Sequence, residues 1–303
     1  MTGPARLAAA LAMIGLALAS AACDRAPDSA AGPTAPAVGG PRIVSLSPGL
    51  SITLADLGLA GRVVGRHASD RSLDPAIRVV GDQTGIDYEV LARLEPTHIV
   101  MQTDAGGVPA LLTSLAAQRG WRLVALPMLT LDDIESAVGR LAGVFADESG
   151  VTEAAHRIRA RVAEVWSEDP TIRERAGRML VVYWTSPLGV AGPGSFHHDL
   201  ARRLGARAIP ETGGPYQTLD AEDLRAAAPD SIVLLTPDLT DADLARTVER
   251  WREYGIPAAL EGRVAVLREW SYLTPGTAIL GLAEAMRRAS QPWPVVSARL
   301  TAP

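Results

Sequence analysis

The sequence predicts an α/β protein of two lobes with parallel sheets, joined by one long helix. Three observations predict this class of fold. Runs of β-branched residues alternate with helix-like segments over residues 42–293, an amphipathic stripe fills the middle of the chain, and one block recurs at a constant spacing. The chain has 303 residues and 48% hydrophobic content, enough for two domains of ordinary size.

Composition excludes several classes of function. The net charge of −5 provides no basic surface for nucleic acid. Cys23 is the single cysteine, so neither an intrachain disulfide nor a zinc site built from cysteines is possible. The five histidines do not show the HExxH spacing of zinc peptidases.

Residues 1–23 are predicted to be a signal peptide that ends at a lipidation cysteine. Arg6 precedes an apolar run over residues 7–19, and small residues then lead to Cys23. This arrangement resembles a bacterial lipoprotein signal, although Ser20 stands where such signals usually carry Leu. Simple secretion after Ala22 is the alternative, and either one places the mature protein outside the cytoplasm. Residues 24–41, rich in Ala, Pro, Gly and Ser, are expected to be a disordered tether.

The first predicted lobe covers residues 42–146. Ser51 is expected to cap its first helix and Asp87 another, and Pro96 follows the end of the latter. The predicted strands are 42–46, 63–65, 79–81, 99–101 and 123–126, and the predicted helices are 52–57, 88–94, 108–118 and 131–144.

One long linking helix is predicted over residues 147–168. Its apolar residues fall on one stripe of a helix with 3.6 residues per turn, namely Val151, Ala155, Ile158, Val162 and Val165. Pro170 is expected to stop it. At 1.5 Å per residue this helix would be about 30 Å long, and a rigid helix at the one crossing between the lobes would permit little hinge motion.

The second predicted lobe covers residues 169–293, and residues 294–303 form a tail. The predicted strands are 179–184, 232–235 and 264–267, and the predicted helices are 196–204, 221–227, 243–254 and 275–289. Together the two halves would be Rossmann-like lobes, whose ligands favour the carboxyl ends of parallel strands and the interface between domains.

A block of the first half recurs in the second at an offset of 133 residues. An Asp-x-Glu-x-Leu sequence, a proline and a pair of β-branched residues begin at Asp87 and again at Asp220. Six matching positions at one offset predict an internal duplication. Convergence on a generic helix–Pro–strand unit is the alternative.

In this order, these motifs resemble the helical-backbone (class III) substrate-binding proteins of ABC transporters, the family that binds vitamin B12, haem and ferric siderophores. The resemblance covers about Pro41 to Pro292. It depends on Arg-Ile-Val-Ser-Leu-Ser-Pro at 42–48, Leu-Gly at 57–58, Val-Val-Gly at 63–65, Gly-Ser-Phe at 194–196, Leu-Gly at 204–205 and the blocks 215–222 and 269–275. It implies an extracytoplasmic protein that carries a cobalt or iron chelate to a permease dimer and its ATPase, as a monomer without a resident cofactor.

The resemblance also implies functional residues. Glu89 and Glu222 match the exposed carboxylates, one per lobe, that meet arginines of the two permease subunits; helix-dipole acids are the alternative. The candidate ligand-binding residues lie near predicted strand ends or helix starts: His67, Gln83, Tyr183, Trp184, Tyr216, Glu269, Trp270 and Tyr272. Their flat aromatic rings suit a macrocycle or a catecholate, and core packing is the alternative for each.

The first lobe departs from the cobalamin-binding pattern. Gln83 stands where a pocket Trp is expected, and a loop with Arg66, His67 and Arg71 replaces a loop rich in Tyr and Pro. His67 is therefore a candidate axial ligand for haem iron or cobalt, and the arginines are candidate partners for an anionic ferric chelate. Haem binding, a lipoprotein without a transport role and an extracytoplasmic enzyme stay open. The sequence contains no G-x-S-x-G elbow, P-loop or complete GxGxxG motif.

Overall fold

Two α/β lobes follow each other along the chain, as the sequence predicts, and each contains one sheet. The structure, a computed structural model, describes residues 39–104 and 106–294. The predicted signal segment 1–23 with Cys23, residues 24–38 of the tether and residues 295–303 of the tail lie outside the described residues.

The N-terminal lobe contains, within the described residues, a six-stranded sheet in the order β4-β3-β2-β1-β5-β6. All neighbours pair in parallel except β3 with β4. The strands are β1 (Ile43–Ser45), β2 (Val63–His67), β3 (Arg78–Asp82), β4 (Gly85–Ile86), β5 (His98–Thr103) and β6 (Arg122–Pro127). The helices are α1 (Pro48–Asp56), the 3-10 helix Ala60–Arg62, α2 (Tyr88–Leu94), α3 (Ala110–Arg119) and α4 (Leu131–Val144).

The C-terminal lobe repeats this plan with a mixed sheet in the order β10-β8-β7-β11-β12, and β9 also pairs with β7. The strands are β7 (Arg178–Thr185), β8 (Leu188–Ala191), β9 (Arg207–Ile209), β10 (Tyr216–Leu219), β11 (Ser231–Leu235) and β12 (Val264–Leu267). The helices are α6 (Pro170–Arg175), α7 (Phe196–Arg203), α8 (Ala221–Ala227), α9 (Asp241–Glu253), α10 (Pro257–Leu260), the 3-10 helix Trp270–Leu273 and α11 (Ile279–Ser290).

The linking helix α5 is present as Val151–Val165, which is shorter than the predicted 147–168 and about 22 Å long at 1.5 Å per residue. The predicted stripe is buried, together with Ala154. Gly150, with φ of 81°, precedes the first turn and prevents an earlier start. The prediction that Pro170 stops this helix is wrong: α5 ends at Val165, and Pro170 instead begins α6, which Asp169 caps.

Two further predictions are corrected. Helix α1 begins at Pro48, with Ser47 as its N-cap residue. Ser51 lies inside the helix, where its hydroxyl contacts the hydroxyl of Ser45 and the carbonyl of Ser47. The sheets are largely but not wholly parallel, because β8 runs antiparallel to both β7 and β10. The turn after Thr185 is short enough to return the chain directly, which a parallel neighbour would not allow.

The repeated block forms the same unit in both lobes. Helices α2 and α8 each have seven residues and an Asp N-cap, and each ends in a left-handed residue before a proline. Glu95 (φ 44°) and Ala228 (φ 39°) are the non-glycine residues with positive φ in the described chain, and they lie 133 residues apart. The shared backbone geometry, which a non-glycine residue adopts at a cost, supports the predicted duplication.

One hydrophobic cluster runs through both lobes. It contains Leu50 and Leu54 of α1, Ile158 of α5, Phe196 of α7 and Met286 of α11, among others. Two further clusters cover the outer faces of the sheets, one in each lobe. The lobes are therefore not held together by α5 alone, because their inner faces share a core.

Candidate ligand-binding site between the lobes

The two lobes contact each other through segments that follow their strands. The Phe196 amide at the start of α7 donates to the carbonyl of Leu129, which follows β6, over 2.7 Å. Gly49, just after β1, lies against Pro275, which follows β12. Loops that leave the carboxyl ends of parallel strands are where α/β proteins bind ligands, so these crossings locate the candidate site.

Three of the predicted aromatic residues come together in the C-terminal lobe. The rings of Tyr183 and Tyr216 form an edge-to-face pair with centroids 5.5 Å apart. Trp184 is 60% exposed and its indole N–H donates to the carbonyl of Ser186 over 2.7 Å. A Cβ atom on Gly189 would lie 2.8 Å from the Tyr183 ring, so only glycine leaves room for this ring. The cluster presents a wide aromatic surface held in a defined orientation.

Restricted access of water raises the pKa of Tyr216 to about 12, and the neighbouring Tyr183 adds to the rise. Burial also raises the pKa of Tyr183. The surface of Tyr216 is 48% exposed. Both phenols stay protonated at neutral pH and can donate a hydrogen bond to a ligand.

The remaining C-terminal residues lie in and beside the 3-10 helix Trp270–Leu273. Glu269 is its N-cap residue and accepts from the amide and hydroxyl of Ser271 over 3.3 and 3.1 Å. Trp270 and Tyr272 are half-buried, and Tyr272 also packs against the shared core. The backbone here is held by His197, whose Nε2–H donates to the carbonyl of Tyr272 over 2.7 Å.

The first lobe contributes His67 and Gln83, which follow adjacent strand ends because His67 pairs with Gly81 in the β2–β3 ladder. Gln83 is exposed in the turn after β3. The Ser69 amide donates to Nδ1 of His67 over 3.2 Å, and the Ser69 hydroxyl lies 2.7 Å from the same atom. In the neutral imidazole this arrangement leaves the proton on Nε2, so metal ligation through Nε2 would require that proton to move to Nδ1 and the bond from the Ser69 amide to break.

Arg66 is engaged within its own loop. Its guanidinium donates to the carbonyls of His67, Asp70 and Pro75 over 3.1 to 3.2 Å. It therefore shapes the loop that carries His67, whereas Arg71 is exposed. Of the two arginines, Arg71 has the guanidinium better placed for an anionic ligand.

Glu89 and Glu222 both lie in the first turns of equivalent helices and are exposed. Glu89 forms an ion pair with Arg93 over 3.2 Å, one turn along α2. Among the described residues, no ion pair involves Glu222. The two acids are thus equivalent in position. They differ in that Arg93 partly compensates the charge of Glu89, whereas Glu222 has no ion-pair partner among the described residues.

Three further residues contribute to this site, and the sequence does not predict them: His197, Gly189 and Gly49. The hydrogen bond of His197 to the carbonyl of Tyr272 joins positions 75 residues apart, so no local pattern predicts it. Gly49 meets the backbone of Pro275, which is far away in the sequence, whereas Gly189 makes room for the side chains of Tyr183 and Trp184 in the paired strand β7. The consecutive histidines after the capping Ser195 were the one visible signal for His197.

Two surface grooves lie along α9 and between α4 and α7, lined mainly by charged side chains, and neither includes a predicted ligand-binding residue. The described residues contain no group of three or more His, Cys, Asp or Glu side chains that could hold a metal ion. None of the helices over residues 39–104 and 106–294 has the length and apolar character needed to cross a membrane.

Solved structures of periplasmic proteins that bind vitamin B12 or heme have the same fold. The periplasmic vitamin B12-binding protein BtuF of Vibrio cholerae is 19% identical, with a TM-score of 0.67 over 82% of this chain and 96% of that one. The periplasmic heme-binding protein RhuT of Roseiflexus sp. RS-1 is 20% identical, with a TM-score of 0.67 over 84% and 98%. The heme-binding protein BhuT, in complex with two hemes, is 21% identical, with a TM-score of 0.68 over 84% and 98%.

Sequence comparison gives the family. No curated protein matches the chain significantly. The model of the periplasmic binding protein family matches residues 43–269, which is well over half of the chain and spans both lobes and α5. The predicted class of fold, two largely parallel α/β lobes joined by a helix, is confirmed. The chain belongs to the periplasmic binding protein family.

Proposed function

We propose that this protein is the extracytoplasmic substrate-binding component of an ABC importer and that it carries a metal–organic chelate, a cobalamin-type corrinoid or a ferric siderophore. The observation that carries the proposal is the aromatic cluster of Tyr183, Trp184 and Tyr216 at the carboxyl edge of the second sheet. Flat, exposed rings bind flat ligands by stacking and apolar burial. The cluster binds and positions a ligand, and no catalytic step is assigned to it.

The test is a thermal-shift screen of the purified protein against cobalamin, haem and several ferric siderophores. A ligand that binds only the native state raises the melting temperature, and about 100-fold excess over Kd adds about 2.7 kcal/mol. Trp184→Ala and Tyr216→Ala should each weaken binding of the active ligand by about ten-fold, the equivalent of about 1.4 kcal/mol.

Leu260→Ala is the matched control, because Leu260 is also 60% exposed but lies in α10, outside the candidate site. Its affinity for the ligand should equal that of the wild type. If both aromatic variants also retain full affinity, the ligand does not bind on this cluster.

Haem is the second candidate ligand, because heme-binding proteins share the fold and His67 lies at the end of β2. Visible absorption spectra of the haem complex would identify an axial histidine. His67→Ala should change these spectra if His67 ligates iron. An unchanged spectrum would assign the ligand to another residue or leave haem held by stacking alone.

We propose in addition that Glu89 and Glu222 dock on the two permease subunits. The equivalent positions of the two acids match a twofold-symmetric partner, and charge pairs at such an interface set orientation and association rate. Exchange of both for Ala should weaken permease binding and leave ligand affinity unchanged. The matched control exchanges Glu153 and Glu164, which are exposed acids on α5. Equal permease binding by both double variants would remove the docking role.

We propose lipid attachment at Cys23 as the means by which the protein is retained at the membrane. Mass spectrometry of the mature N-terminus would show a lipid-modified cysteine. An unmodified N-terminus after Ala22 or nearby would instead establish simple secretion. A lipoprotein without a transport role predicts that no permease binds, which the docking experiment also measures.

A further inference from the structure

The lobes touch each other at the level of the backbone, away from α5. Gly49 is in the first turn of α1, and Pro275 and Gly276 follow the 3-10 helix of the second lobe. A Cβ atom on Gly49 would lie 1.7 Å from the carbonyl oxygen of Pro275. A Cβ atom on Gly276 would lie 2.2 Å from the carbonyl oxygen of Gly49. Each glycine is thus packed directly against the backbone of the other lobe.

The backbone conformation does not explain why glycine is found at positions 49 and 276. Neither has φ in the positive range, and Gly49 is inside a helix, where alanine is intrinsically favoured. The requirement is for space. With a side chain present, the contact would have to open from 1.7 Å to an ordinary distance of 3.4 Å or more, and the obstacle is a backbone carbonyl that cannot rotate aside.

Hydrogen bonds also join α1 to the segment 275–277, next to the contact of the two glycines. The amide of Thr277 donates to Oγ1 of Thr53 over 3.3 Å, and the hydroxyl of Thr277 bonds to the carboxylate of Asp56. Thr53 and Thr277 are buried. Helix α1 is therefore fixed to the segment 275–277 along two turns, and both lobes fall within a single compact unit.

This contact lies beside both walls of the candidate site. Gly49 is four residues beyond the end of β1, and Pro275 is three residues beyond Tyr272. Any change in the separation of the lobes at this point moves Trp270 and Tyr272 relative to His67 and Gln83. The width available to a ligand therefore depends on how closely these two backbones approach.

We propose that Gly49 and Gly276 are positioning residues that set the separation of the two ligand-binding walls, and so the size of chelate that fits. The inference extends the proposed function, since it names the residues that determine the dimensions of that site. The proposal assigns to this contact the control of the separation between the lobes, which would otherwise depend on the linking helix α5.

The experiment measures the separation of the lobes in the absence of ligand. The measured quantity is the distance between two spin labels, one on each lobe, obtained by double electron–electron resonance. Labels are attached at Gln118→Cys in α3 and Arg250→Cys in α9, both exposed, in the full chain with Cys23→Ser. Gly49→Ala and Gly276→Ala should each shift the distance distribution to longer values. Gly143→Ala in α4 is the matched control, because a Cβ atom there meets nothing within 4 Å.

An unchanged distribution in both glycine variants overturns the proposal, whether or not any chelate binds. Should both variants fail to fold, Thr277→Val decides, because it removes the bond to Asp56 without adding bulk. A broader distribution in Thr277→Val supports the proposal, and a wild-type distribution overturns it. Where the screen has found a chelate, the variants with separated lobes should bind it about ten-fold more weakly; a normal affinity at a longer distance would reject the effect on ligand size.

Discussion

The buried histidine at the start of α7 makes a prediction about stability in acid. His197 is 2% exposed, and its Nε2–H donates to the carbonyl of Tyr272 while Nδ1 has no hydrogen-bond partner. Burial lowers the pKa of His197 from 6.5 to about 4, and the bond to Tyr272 opposes this only in part. We therefore expect His197→Gln, which keeps an N–H donor but cannot ionise, to make the protein less sensitive to acid.

The sign of the effect follows from proton binding. The unfolded chain takes up a proton on His197 as the pH falls through 6.5, whereas the folded protein takes it up only near 4. Stability from the neutral imidazole is thus complete above about pH 7, decreases between 6.5 and about 4, and levels off below that range. The pKa difference corresponds to about 3 kcal/mol, at about 1.4 kcal/mol per pKa unit.

The assay is urea unfolding of both proteins, followed by tryptophan fluorescence, from about pH 7 to about pH 4. Carboxylates with lowered pKa values, and His98, whose pKa burial lowers to about 4, also destabilise the fold in acid. These groups are common to both proteins, so the difference between the two unfolding free energies isolates His197.

We expect that difference to change by about 3 kcal/mol over the titration, in favour of His197→Gln at low pH. His197→Leu is the companion variant, because it removes ionisation and also leaves the Tyr272 carbonyl unpaired. It should show the same reduced acid sensitivity with a loss of about 1–3 kcal/mol at every pH. Parallel pH profiles for wild type and His197→Gln would refute the reasoning.

Three further predictions concern the repeated unit. Asp220→Ala should cost about 1 kcal/mol in the free energy of unfolding, because Asp220 accepts from two amides of α8, whereas exposed Asp238→Ala should change it by less than about 0.5 kcal/mol. Ala228→Gly should raise the free energy of unfolding by about 1 kcal/mol, since glycine relieves the left-handed strain at φ 39°, and a loss would contradict the assigned conformation. Leu91→Ala should cost about 2–5 kcal/mol, because Leu91 is fully buried under the first sheet; circular dichroism during thermal unfolding would check it.

Local signals located much of the fold. Helix 131–144 is found at the predicted residues, because its N-terminal acids and apolar stripe lie within the segment itself. Helices 88–94 and 221–227 agree for the same reason, each with an Asp cap and a following proline. The candidate ligand-binding residues near strand ends were predicted from the order of strands and turns together with the family resemblance.

Predictions failed where one residue type is compatible with two local structures, or where a strand has only a weak local pattern. Proline at position 170 can end one helix or begin another, and only the packing of α5 and α6 decides between them. The short strands β8, β9 and β10 have weak local patterns; β8 and β9 form by pairing with β7, and β10 forms by pairing with β8. The edge-to-face pair of Tyr183 and Tyr216 depends on that pairing.

The sequence by itself determined two α/β lobes, an amphipathic linking helix, a duplicated capping unit and the family resemblance, since these depend on periodicity and on caps within a few residues. Only the tertiary structure decided that the lobes share one core, that Gly49 meets Gly276, and that His197 holds the backbone of Tyr272. The physical reason is range: hydrophobic period and capping act between near neighbours in the chain, whereas steric contact and burial join residues more than seventy positions apart.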